Sequence, residues 1–134
     1  YIWIQKDWEH IKTKQEGFLG FLDIFYHSLG INANLRIQHF LTPGYDFRIY
    51  IYENDMLFNF SLPPSYNNGW RFYVNINKGF HLSKKLPGGH PVTLTAWIKW
   101  GLTLYTDKYL IGSGLDQISG DKKTDLKFQI RINW

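Results

Sequence analysis

Residues 92–112 read VTLTAWIKWGLTLYTDKYLIG. From Val92 to Trp100 the side chains alternate: Val92, Leu94, Ala96, Ile98 and Trp100 share one face, and Thr93, Thr95, Trp97 and Lys99 share the other. A period of two carried by β-branched and aromatic residues marks a half-buried strand. Gly101 interrupts the run, and LTLYT resumes the same period. Asp107-Lys108 predicts a short turn and Tyr109 to Ile111 a third strand. The stretch is thus an antiparallel meander, and the fold must supply an opposing sheet for its apolar face.

Working outward, the same alternation recurs. Leu35 to Leu41 predicts a strand, ended by the turn residues Thr42-Pro43-Gly44. DFRIYIYEN puts Phe47, Ile49 and Ile51 inward, with Arg48, Tyr50 and Tyr52 outward. MLFNFSL places Met56, Phe58, Phe60 and Leu62 on the core face. Pro63-Pro64 stops any ladder there. WRFYVNIN turns Phe72, Val74 and Ile76 inward and Tyr73, Asn75 and Asn77 outward, and residues 78–91 read as a long connection. The closing strand LKFQIRINW points Leu126, Phe128, Ile130, Ile132 and Trp134 at the core. Ahead of these, Phe18, Phe21, Leu22 and Phe25 have helical spacing weakened by Gly17 and Gly20, which predicts a short helix or an irregular apolar strap.

With 134 residues the chain is long enough for one domain with a real core. Aromatics make up 19% of it, and six Trp cannot all be buried, because each indole N–H needs a partner. The net charge of +4 comes from dispersed Lys and Arg, not the clustered stripe that nucleic acid calls for. Absence of cysteine excludes disulfides and thiolate metal sites, which suits a cytoplasmic protein or one secreted without disulfides. No apolar run approaches the ~20 residues of a helical membrane span, so no membrane span is expected. A chain beginning at Tyr1 reads as a processed or excised piece. Eight or more short strands argue for a two-sheet sandwich or a closed barrel.

Residues 30–134 resemble the galectin family. GINANLRIQHFLTPGYDFRIYIYEN is similar to that family's opening pair of strands, LPGGHPVTLTAWIKWGLTLYTDKYLIG to its glycine-led strand pair, and DLKFQIRINW to its closing strand. The resemblance implies an all-β fold, a two-sheet antiparallel jelly-roll sandwich, with residues 1–29 as an N-terminal extension or strap packed on it. It also implies a non-enzymatic module that recognises glycan or glycoprotein on a concave sheet face, without cofactor or metal. MLFNFSL falls where the family carries its sugar strand: Asn59 then matches the sugar Asn, while Leu57 and Ser61 replace the usual His and Arg. Asn75 matches the Asn of the next strand, Phe80 falls near the stacking position and Lys85 near a basic ligand. Altered specificity is expected.

A sugar face needs planar groups against C–H patches and amides or guanidinium groups against hydroxyls. Arg48, Tyr50, Asn59, Tyr73 and Asn75 offer that chemistry, with Phe80 and Lys85 beside them. The same residues also fit a solvated sheet face or a protein contact, including a homo-oligomer. Trp97 reads as buried at an oligomer interface or under the N-terminal strap. The five histidines lack ligand spacing, and the acidic residues sit mostly at turns, which gives neither a metal site nor a catalytic pair. Asn59-Phe60-Ser61 is an N-glycosylation sequon. A sugar-silent galectin fold used for assembly, and a small β-barrel carrying an apolar ligand under a helical lid, are the alternatives.

Overall fold

A computed structural model describes residues 2–8, 11–85, 91–107, 110–111, 115 and 117–134. Five long strands dominate it: β2 (Ile11–Ser28), β3 (Ile31–Leu41), β6 (Asn68–Lys85), β7 (Pro91–Tyr105) and β10 (Lys122–Asn133). With β1 (Ile2–Trp8) they form one six-stranded antiparallel sheet in the order β1-β2-β3-β6-β7-β10. Each strand lies beside its nearest long neighbour in the chain, so the sheet is a simple meander. Among the described residues it does not close on itself. The all-β antiparallel expectation holds.

The segment expected as helix or strap is a strand. Its apolar residues fall on both faces of β2, and Phe18 to Ser28 pair with β3 from Leu41 to Ile31. Leu29 and Gly30 alone connect β2 to β3, both at positive φ (50° and 71°), as the right-handed twist of a tight hairpin requires. Residues 2–8 and 11–28 therefore pair into the same sheet as the rest, and among the described residues no helical lid forms there. The connection expected after Asn77 is also strand, since β6 runs on to Lys85. Gly101 does not interrupt β7: it pairs with Asp125, whose carboxylate lies 2.5 Å from where a Cβ would stand. The turn expected at Lys108, the start of a strand at Tyr109, and most of PGGHP lie outside the described residues.

Residues 42–67 leave the sheet and cross one of its faces. They hold a 3-10 turn (Tyr45–Phe47) and a two-stranded ribbon of β4 (Ile49–Tyr50) with β5 (Pro64–Ser65). A single bridge joins Glu53 to Ser61. A clasp closes the base of the segment: the Thr42 N–H donates to the Asn67 carbonyl at 2.8 Å, and the Asn67 N–H to Thr42 Oγ1 at 2.8 Å. The two full strands expected from Asp46 to Leu62 do not form. The Asn59 N–H bonds back to the Met56 carbonyl at 3.1 Å, and Phe58 sits at φ 63°, turning the chain between them. Ile49, Ile51 and Met56 are buried as expected, but Phe58 and Phe60 are exposed, Phe58 almost fully. Another pair, β8 (Leu110–Ile111) with β9 (Ile118–Ser119), lies apart from the main sheet.

Burial reverses the expected faces. The crossing segment covers the polar parity of the sheet, so Asn34, Arg36, Gln38, Arg71, Tyr73, Asn75, Lys99 and Thr103 are buried. The apolar parity is left open: Leu126, Phe128, Ile130 and Ile132 are 51–71% exposed, and Trp134 is exposed too. Alternation distinguishes two faces but does not say which one another part of the chain will cover.

Candidate functional site

The covered face has three zones along the strands. At one end lies a small apolar core of Leu19, Phe40, Ile49, Ile51, Tyr66, Tyr105 and Ile111. Gly69 is needed there, since a Cβ would stand 2.4 Å from the Leu104 carbonyl oxygen and 2.8 Å from the Phe40 ring.

The middle zone is ionic. From the crossing segment, Glu53 takes both arms of the Arg71 guanidinium, at 2.5 and 3.0 Å, and lies 3.2 Å from Lys99 Nζ. Arg71 also donates to Thr103 Oγ1 at 2.9 Å and to Asp125 at 3.2 Å. Asp55 accepts from Lys127 Nζ at 2.6 Å and lies 3.6 Å from Lys99. Arg36 makes a two-pronged pair with Asp23, both arms at 2.6 Å, and donates to the Tyr52 carbonyl at 2.7 Å. Forked arginine–carboxylate pairs of this kind fix orientation as well as charge. Burial alone would raise the Asp55 pKa, but the Lys127 hydrogen bond, the Met56 N–H and the Lys99 charge hold its carboxyl below the ordinary value. The far zone is rich in asparagine.

The open face carries an apolar band. On β7 it runs without a break through Val92, Leu94, Ala96, Ile98, Trp100, Leu102 and Leu104. That is slightly longer than the 9–11 residues a tilted strand needs to cross a bilayer core. Its border shifts from strand to strand. Phe18 on β2 pairs with Leu41 on β3. Leu41 pairs with Asn68, two residues before Trp70, where the band begins on β6. Trp70 pairs with Leu104, but Leu104 pairs with Lys122, four residues before Leu126, where it begins on β10. The border thus climbs two residues and then four over four steps, roughly 1.5 residues per step. With about 3.4 Å per residue and 4.8 Å between strands, the band lies at about 45° to the strands. Its height is then about 30 Å. Aromatic rings gather at the border: His39 sits 4.6 Å from Trp70 and 6.3 Å from Phe18, and Phe72 stacks on Trp70 at 6.3 Å.

The residues expected to form a sugar face are dispersed. Tyr73 and Asn75 are adjacent on β6 and buried, and the Tyr73 hydroxyl donates to Asn34 Oδ1 at 2.7 Å. Arg48 and Tyr50 bond to each other at 2.6 Å on the crossing segment, with Arg48 over the Tyr45 ring at 4.4 Å. Asn59 is at an exposed turn of that segment. Phe80 projects on the opposite, apolar face beneath Lys78, 5.2 Å from its ring. Lys85 ends β6, and its side chain lies outside the described ones. Trp97 pairs with Asn77 on the polar face and is partly buried. Sequence reading gave Arg36, Glu53, Arg71 and Lys99 no role in the site. The available signal was that Arg36, Arg71, Lys99 and Lys127 stand on the polar parity of β3, β6, β7 and β10, although Lys78 and Lys122 stand on the other.

No protein-family model matches the chain, and neither the curated proteins nor the solved structures include a match. Among the described residues no helix is long and apolar enough to cross a membrane.

Proposed function

We propose that this chain is wall of a transmembrane β-barrel, with its apolar band against lipid acyl chains and its polar face toward an aqueous interior that the crossing segment partly fills. The observation that carries this reading is the reversed burial, polar side covered and apolar side open, over a band of bilayer height. A strand tilt near 45° and aromatic rings at the border match the dimensions of such walls. Nothing in hydrocarbon satisfies an open sheet edge, and known closed barrels have eight strands or more. The wall is therefore completed by strands beyond the six, from another copy or from chain outside these residues.

A galectin-like two-sheet jelly roll, serving glycan recognition or protein contact, is the second reading, favoured by the antiparallel sheet and by Tyr73 and Asn75 sharing a face. There a second sheet, not lipid, covers the apolar band.

Fluorescence quenching by brominated acyl chains separates the two. In phosphatidylcholine vesicles Trp70, Trp100 and Trp134 should be quenched: Phe at all three positions removes most of the effect, and Trp97→Phe removes little. A protein that stays unquenched and forms a defined dimer in detergent-free buffer would overturn the bilayer reading and favour the sandwich.

A further inference from the structure

The crossing segment covers Asn34 and Asn75 in the far zone of the polar face but leaves its outer end, at Asn32 and Asn77, open. Asn32 and Asn34 on β3 pair with Asn77 and Asn75 on β6, so four carboxamides stand in a two-by-two array. Asn54 reaches over it from the crossing segment and donates to Asn34 Oδ1 at 3.1 Å. Phe25 and His27, on β2, wall the side. The pocket between them has a volume of about 320 Å³.

Most of these amides are engaged with one another. Asn32 donates to Asn77 Oδ1 at 2.8 Å and is bonded to the His27 ring. Asn75 differs. It is only 7% exposed, and its Oδ1 is buried without a hydrogen-bond partner. Buried polar atoms are nearly always partnered, and an exception at the wall of a pocket points to a missing partner.

We infer that this pocket binds an uncharged polyhydroxylated molecule, a mono- or disaccharide, with Asn75 bonding to its hydroxyls. A carboxamide both accepts and donates, as a hydroxyl does, whereas ionised side chains would select for charge. The charged group at the pocket, Asp55, is already neutralised by Lys127 at 2.6 Å. The exposed Phe25 ring offers a flat apolar surface for the C–H side of a sugar, and the register sets Trp97 beside Asn77 on the same face. The inference requires only that water reach the polar face, which holds whether lipid or a second sheet covers the other.

The test is calorimetric titration of the full chain, in detergent micelles, with glucose, galactose, maltose and lactose. At least one should bind saturably, and Asn75→Leu and Asn77→Ala should each weaken it tenfold or more. Asn75→Leu should keep or raise Tm, because it removes an orphaned acceptor. If Asn75→Leu fails to fold, Asn77→Ala carries the comparison. The inference is overturned by no saturable heat from any of the four sugars, or by both variants binding as the native chain does. Sugar binding without lipid quenching would remove only the barrel reading, and quenching without sugar binding only this one.

Discussion

Phe58 and Gly101 show how single residues follow their surroundings more than their type. Phe58 has the parity of a core residue, yet it sits at a turn at positive φ, 92% exposed. Phe58→Ala should change stability by less than ~0.5 kcal/mol in urea unfolding, whereas Phe40→Ala, at 1% exposure, should cost about 3–5 kcal/mol. A loss at Phe58 as large as at Phe40 would put its ring back in a core. Gly101→Ala should be destabilising although it lies in a strand, where alanine is ordinarily the better residue. Its methyl group would push the Asp125 carboxylate away from Arg71. Asp125→Ala combined with Gly101→Ala should therefore show non-additive unfolding energies.

At the scale of the element, the crossing segment is held to the sheet by charge at its middle and by Ile49, Ile51 and Tyr66 in the apolar core at one end. Glu53→Ala leaves the buried Arg71 with only the Asp125 carboxylate and Lys99 with only that of Asp55 at 3.6 Å, which should cost about 3–5 kcal/mol and raise protease cleavage within residues 42–67. Unchanged cleavage would mean the clasp at Thr42 and Asn67 suffices. Acid should act in the same direction. Asp55 is held below its ordinary pKa by Lys127 and Lys99, so its contribution is fully present above about pH 4 and is lost as pH falls through its depressed folded value. Hydrogen exchange of residues 42–67 should rise over that acid range, and Asp55→Asn should flatten the response. The segment adds no strand to the six-stranded sheet, so the long strands can be regular while residues 42–67 are not.

For the whole molecule, the open band decides the environment. Leu102→Lys places a cation inside the band, one alternation from its border at Leu104, and should weaken stability in lipid vesicles by about 1 kcal/mol. Thr103→Lys, one residue on but facing the ionic zone, should act through Arg71 instead and leave lipid quenching of Trp100 intact. Equal loss of quenching from both variants would contradict the assignment of faces.

Much of this was legible in the chain. Residues 92–104, 70–77 and 126–133 announced their strands and their two faces through period-two alternation alone, because successive side chains in a strand must point to opposite sides. Gly17 and Gly20 already spoke against a helix on β2. Alternation along the chain gives an antiparallel sheet with one apolar and one polar face. Which of those faces is covered depends on where residues 42–67 pass. Their Glu53 and Asp55 find Arg71, Lys99 and Lys127 across the fold, and buried carboxylates can lie only where such partners wait. The pairing of β3 with β6 gathers the Asn array around Asn75, from positions 41 residues apart at Asn34 and Asn75, a proximity that no local spacing encodes.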